Sequence, residues 1–312
     1  MPNIDSILFA IIQAAILFLI APIFTGISRV MRAKMHSRKG PGIFQDYRDL
    51  VKLMKRQDVA SAASGLMFRI MPYELLGSVL LIAMVIPVFS LASPLGMAGD
   101  LITIAYLFAF SRFIFSVSGL ESGSPFAGLG ASRESTLGVL VEPTMILALL
   151  VAALICGSTN VGSISVAIAT GQVQAPTAIF MAFIAFGFAV YIEMGKLPFD
   201  MAEAEQELQE GPLTEYSGQS LAILKWGLAL KKVVVASMFV GIFLPFGTTT
   251  SMSPGTLLIA AVLYLIKLLA VYLLTGLLEN SMARGRFLLT SRVTWVGFGV
   301  ASLSFVFYLA GL

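Results

Sequence analysis

The chain has 312 residues, of which 58% are hydrophobic and only 12% charged, and a formal net charge of +3. A mean hydropathy of +0.92 excludes an ordinary water-soluble domain, whose surface would then be mostly apolar and face water. A single cysteine, Cys156, and a single histidine, His36, exclude an intrachain disulfide and leave no ligand set for an iron–sulfur cluster, a haem or a zinc ion.

Apolar runs long enough to cross a hydrocarbon core of about 30 Å occur at 7–28, 73–93, 101–118, 135–157, 175–195, 233–250, 256–278 and 293–312. They are continuous rather than alternating, so helices, not barrel strands, must satisfy the backbone. The expected fold is an all-α integral membrane protein, a bundle of about eight transmembrane helices forming one polytopic domain over 1–312. The first run has cations after it and no basic segment before it, which reads as a true span rather than a cleaved signal.

Lys and Arg divide between the loops without mixing. Ten lie between spans 1 and 2, one between 3 and 4, four between 5 and 6 and three between 7 and 8, while the other loops and both ends carry none. Cations stay on the cytoplasmic side, so both termini are expected outside, in the periplasm of a bacterial cell. The net positive charge points to lipid headgroups or an acidic partner, not to nucleic acid.

The first cytoplasmic loop, 29–72, is basic. Gly40-Pro41-Gly42 forces a non-helical turn after Arg38 and Lys39, and Leu50, Leu53 and Met54 then recur at helical spacing over Gln45 to Arg56. This predicts an amphipathic helix along the membrane surface. A partner-docking face formed by Arg38, Lys39, Gly40, Pro41, Gly42, Asp46 and Tyr47 is one expectation, and an ordinary positive-inside loop is the other.

Glycines at 119, 123, 128 and 130 predict a broken stretch beside Arg133 and Glu134, which lines a cavity or simply connects two spans. Arg112, Glu142, Lys267 and Glu279 are ionisable groups in or at apolar runs. A charge there costs roughly 2.5–3.5 kcal/mol on insertion scales, so each needs a partner or a water cavity. Arg112 and Lys267 suit static counter-ions to buried glutamates, and Glu142 precedes Pro143, a site for a kink.

The acidic cytoplasmic loop, 196–232, follows span 5, which holds Glu193. A helix begun at Pro198 would place Asp200, Glu203, Glu207 and Glu210 on one stripe, with Glu205 on the opposite side. Like charges so close cannot all ionise cheaply, so the group would titrate as a coupled set, the property of a proton relay. A solvated acidic helix is the plainer alternative.

Arg38-Lys39-Gly40-Pro41-Gly42, Pro198-Phe199-Asp200-Met201-Ala202-Glu203-Ala204-Glu205-Gln206-Glu207-Leu208 and Glu215-Tyr216-Ser217-Gly218 together resemble the quinone-site membrane subunit of respiratory complex I. The same subunit type recurs in energy-converting nickel–iron hydrogenases. Lys196 stands where complex I members carry arginine. The forms Gly130 to Glu134, Val141-Glu142-Pro143 and Glu279 to Arg286 resemble the formate hydrogenlyase and hydrogenase-4 branch.

The resemblance implies a subunit that docks a peripheral arm and provides its proton path. It implies no redox centre in this chain, a nickel–iron site and iron–sulfur clusters in partner subunits, and location in the bacterial inner membrane. The implied partners are hydrogenase large and small subunits, an iron–sulfur protein, antiporter-like membrane subunits and formate dehydrogenase. The implied path comprises Glu142, Glu193, Asp200, Glu203, Glu205, Glu207, Glu210 and Glu215, with Arg112, Arg133, Lys196, Lys267 and Glu279 as charge partners. A quinone-reducing complex I subunit and a purely structural anchor are the alternatives.

Overall fold

The computed structural model describes residues 4–61, 64–202, 205–250, 253–283 and 287–312, with backbone alone at 97, 205, 206 and 287–289. Among these the helices are, in order, α1 (Ile4–Met35), α2 (Gln45–Met54), α3 (Leu66–Val85), α4 (Leu101–Glu121), α5 (Pro125–Cys156), α6 (Val161–Ala169), α7 (Pro176–Glu193), α8 (Glu205–Leu208), α9 (Gly218–Phe243), α10 (Pro254–Ser281) and α11 (Phe287–Leu309). Eight of the described helices are long and apolar enough to span a membrane: α1, α3, α4, α5, α7, α9, α10 and residues 290–309 of α11. The described residues form no named strand, and bridges occur singly at Ser90–Thr249 and Asp100–Asn160.

Helix α9 is the centre of the bundle. Buried residues make up 72% of its apolar window, against 28% in α10 and 22% in the last span. It packs on α3, α1, α2 and α7, and Phe239 and Phe243 stack or tilt against Phe183 and Phe186 of α7. On the rim, α10 turns Leu258, Ile259, Ile266 and Leu274 outward. Such a face is stable only against lipid or another membrane protein.

Two spans end earlier than their hydropathy implies. The apolar runs 73–93 and 233–250 continue past the helix ends at Val85 and Phe243. Their tails are irregular backbone whose Val88, Phe89 and Leu91 are buried, with Leu91 N–H donating to the Thr249 carbonyl at 3.0 Å. Irregular backbone at membrane depth is tolerated where protein buries it. Polar side chains then close the helix ends: Gln13 Nε2 donates to the carbonyls of Ala83 and Ile86 at 2.8 and 2.9 Å. Lys267 Nζ does the same for α9, donating to Leu244 O at 2.7 Å and to Phe246 O. Lys267 is therefore a C-terminal cap, and no carboxylate among the described residues pairs with it, contrary to the counter-ion expectation.

Other ends begin earlier. Helix α3 starts at Leu66 rather than 73, α5 at Pro125 rather than 135, and α9 at Gly218 rather than 233. The glycine-rich stretch before Arg133 is thus mostly helical, interrupted only around Ser122–Ser124. Gly130 serves close packing: a Cβ there would lie 2.6 Å from Pro212 Cδ and 2.9 Å from the Ala202 carbonyl, so the acidic loop seats on bare helix.

The amphipathic helix forms as expected, as α2. Leu50 is buried, while Arg38, Lys39, Gly40, Pro41 and Gly42 before it are exposed. Asp46 and Tyr47 turn inward instead of outward. Asp46 pairs with Arg29 at 2.5 Å and accepts from Thr25. The Tyr47 hydroxyl donates to the Leu19 carbonyl, and its ring meets Trp226 edge-on at 6.3 Å. These two residues fix α2 to α1 and α9. Burial raises the Tyr47 phenol above its ordinary range.

Candidate functional site

Arg112 of α4 is a hub. Its Nη1 pairs with Glu142 and its Nη2 with Glu193, while Nε lies 3.7 Å from Glu134. Lys231 of α9 pairs with Glu193 at 3.1 Å and lies 3.8 Å from Glu134. The Arg112 and Glu193 side chains are 11% and 6% exposed, so this pair is largely screened from water.

The helices deliver these groups to one place. Arg112 lies nine residues before the end of α4, and Glu134 lies nine residues after the start of α5, each about 13 Å along its helix. Glu134, Gly138 and Glu142 follow at i, i+4 and i+8, one face of α5. A Cβ on Gly138 would lie 2.5 Å from Arg112 Cδ, so the missing side chain lets the guanidinium lie between the two glutamates. Gly138→Ala is expected to cost about 1–3 kcal/mol by overpacking. A lowered melting temperature of the purified protein checks this.

Three carboxyls, Glu134, Glu142 and Glu193, share two cations, Arg112 and Lys231. Fully ionised, the set carries one net negative charge, and one added proton neutralises it. A small cavity of about 60 Å³, partly open to the outside, adjoins it, lined by Ser111, Arg112, Glu134, Gly138, Glu193, Lys231, Lys232 and the apolar Leu75, Phe115 and Phe199.

The acidic loop above this cavity does not form the expected helix. From Lys196 to Ala202 the chain is turns and extended backbone, and α8 covers only Glu205–Leu208 before Gln209, Glu210 and Gly211 take left-handed conformations (φ 49°, 70° and 54°). The reason is burial: Phe199, Met201, Ala202 and Leu208 are all buried, and a straight helix could not turn them all into the bundle. Phe199 packs edge-on against Phe188 and Tyr191.

The single stripe of Asp200, Glu203, Glu207 and Glu210 is therefore not present as such. Asp200 is half-buried near Tyr191. Glu207 is exposed and pairs with Arg133 at 2.7 Å, and Glu210 pairs with Lys225 at 3.1 Å. Glu215 is half-buried. Glu203 and the Glu205 side chain lie outside the described residues.

A second buried cluster ties this loop to the rim. Glu279 of α10 pairs with Lys196 at 2.9 Å and with Arg32 of α1, and His36 meets Asn280 at 3.0 Å. Burial, aided by the like charges of Lys232 and Arg32, pulls the Lys196 ammonium down to about 7. Lys196 thus binds its proton less tightly folded than unfolded, where its range is about 10.4. Between these values the unfolded chain holds more protons, so stability rises with pH from 7 toward 10. Lys196→Met is expected to flatten that rise, read from melting temperature against pH.

Glu134, Lys231 and Glu74 are ionisable groups whose place in the interior the hydropathy pattern did not single out. The Glu134–Gly138–Glu142 spacing was a usable signal for the first. Hydropathy alone puts Lys231 in the loop before the sixth span, whereas it lies within α9. Among the described residues no three His, Cys, Asp or Glu side chains converge as a metal site.

Residues 7–310 match the family described as NADH dehydrogenase. The chain is 58% identical to hydrogenase-4 component C of Escherichia coli over 98% of its length and 97% of the relative's. It is 52% identical to formate hydrogenlyase subunit 4 of the same organism, over 98% and 99%. Its fold superposes on a chain of the membrane-bound sulfane sulfur reductase, an archaeal respiratory membrane complex, with a TM-score of 0.81, 24% identity and coverage of 96% and 98%. A buried charge network inside an eight-span bundle thus sits in a chain that belongs to the NADH dehydrogenase family of membrane proteins, in the company of its hydrogenase-4 and formate hydrogenlyase members.

Proposed function

We propose that this protein is the membrane-anchoring and proton-path subunit of a formate hydrogenlyase-type, hydrogen-evolving complex. Its relatives are membrane subunits of oxidoreductase complexes. The observation that carries the proposal is the Arg112–Glu193–Glu142–Glu134–Lys231 network, which has room for one proton beyond its ion pairs and lies between the acidic loop and the membrane interior.

The exposed turn Arg38 to Gly42 and the acidic loop receive the peripheral arm, which holds the nickel–iron site and the iron–sulfur clusters in hydrogenase large and small subunits and an iron–sulfur protein. Formate dehydrogenase supplies electrons. Antiporter-like subunits cover the apolar rim at α10 and α11. The complex lies in the bacterial inner membrane with both termini of this chain periplasmic. Electron transfer in the arm shifts the charge of the acidic loop, and the network passes the change inward.

Purification of the complex through a tag on this chain, with formate-dependent hydrogen evolution assayed, is the test. A nickel–iron large subunit recovered with activity supports the proposal. Quinone-reductase partners, or a chain recovered alone, overturn it. A space of about 390 Å³ beneath α2 is the place a quinone would need. Its lining mixes the charged Arg29, Asp46, Asp49, Lys52, Glu210, Lys225 and Lys232 with the apolar Pro22, Leu50, Leu53, Leu213, Leu228 and Ala229.

A further inference from the structure

Glu74 is a carboxyl the network does not use. It stands in α3 eight residues after Leu66, about 12 Å along the helix, at a height matching Arg112 and Glu134. Both carboxyl oxygens are shielded from solvent, and the polar groups beside them among the described residues are the hydroxyls of Ser78 and Ser111. Among the described residues Glu74 makes no ion pair and caps no helix, so packing does not account for it. A leucine would fill the place without burying two polar oxygens.

The surroundings give it a way out. Ser78 lies one turn further on the same face of α3, and the hydroxyls of Ser78 and Ser111 lie beside the carboxyl. Ser78 Oγ is 3.1 Å from both the Leu75 carbonyl and Ser111 Oγ. Ser111 and Ser78 are buried, and Ser111 lines the cavity that holds Arg112, Glu134 and Glu193. A carboxyl with no cationic partner among the described residues, joined by two hydroxyls to a charged cavity, is the arrangement of a proton-carrying group inside a membrane.

We propose that Glu74 is a proton-binding site at the side of the network, exchanging its proton with the cavity through Ser78 and Ser111. This rests on the proton-path reading above. In the outward step the carboxyl O–H gives its proton to Ser78 Oγ as Ser78 passes its own to Ser111. Ser111 then passes its own to a water in the cavity as that water gives one of its protons to a carboxylate of the network, Glu134 or Glu193. Each hydroxyl ends with one proton, Glu74 ends as a carboxylate, and the return step reverses the order.

The test is infrared difference spectroscopy of the whole purified complex between its hydrogen-reduced and oxidised forms, in H2O and in D2O. The expected result is a carboxylic acid C=O band that shifts in D2O, is lost in Glu74→Gln and is moved in Glu74→Asp. Ser78→Ala should slow the deuterium exchange of that band at least tenfold. A difference spectrum unchanged in Glu74→Gln overturns the proposal, whether or not the complex moves ions, so its failure is distinct from failure of the proton-path reading. Should Glu74→Gln not assemble, Ser78→Ala decides: exchange at the wild-type rate overturns the route.

Discussion

Replacing Arg112 by methionine is expected to cost about 3–5 kcal/mol and to deplete assembled protein from the membrane, because it leaves buried carboxylates without their cation. Glu193 would keep Lys231 at 3.1 Å, but Glu142 would lose its pairing partner and Glu134 would keep only the longer 3.8 Å approach of Lys231. Methionine fills much the same volume, so lost charge rather than a cavity is what the variant reads. Lysine should rescue in part: Arg112 addresses three carboxyls with three different nitrogens, and a single ammonium cannot reproduce that fork. Adding Glu142→Gln to Arg112→Met should recover some stability, since it removes the carboxylate left without a partner. Thermal unfolding in detergent and abundance in membranes read each step. Wild-type stability in Arg112→Met would show that the hub is not holding the bundle.

The bundle was legible in the sequence because a span must be long and apolar whatever it packs against. Its ends were less legible, for two opposite reasons. Hydropathy extended α3 and α9 through residues such as Phe89 and Leu91, which are apolar because protein buries them, not because they are helical. It cut off the first half of α9 because Lys225, Lys231 and Lys232 look like loop residues, whereas Lys231 and Lys225 lie on the helix and pair with Glu193 and Glu210.

The site divides in the same way. Arg112, Glu142 and Glu193 were visible as charges that an apolar run would not carry without reason. Their meeting at one point depends on how α4, α5, α7 and α9 are turned against one another, which single-helix periodicity does not encode. The acidic stripe failed because it counted charges and not the apolar residues between them: Phe199, Met201, Ala202 and Leu208 determine the path of that segment by burying themselves. The family resemblance rested on those same motifs and holds, since a motif identifies relatives whether or not it folds as a helix.

Glu142→Gln is expected to reduce ion movement coupled to hydrogen evolution at least tenfold, about 1.4 kcal/mol in barrier terms, while leaving the complex assembled. Glu142 has the most exposed side chain of the three carboxyls, at 26%, and its described ion pair is with Arg112 alone, so its loss disturbs packing least. It also changes the count. Two carboxyls against two cations make a balanced set with no carboxyl left to take up a proton, whereas the native three-to-two ratio leaves one. Glu193→Gln removes the same charge but breaks contacts with both Arg112 and Lys231, so it should lower stability as well as transport. The contrast separates a relay from an anchor. A relay predicts that Glu142→Gln and Glu193→Gln lose transport alike but differ in melting temperature. An anchor predicts that Glu142→Gln changes neither the hydrogen evolution rate nor the ion gradient formed by inverted vesicles, and that result would sink the proton-path assignment.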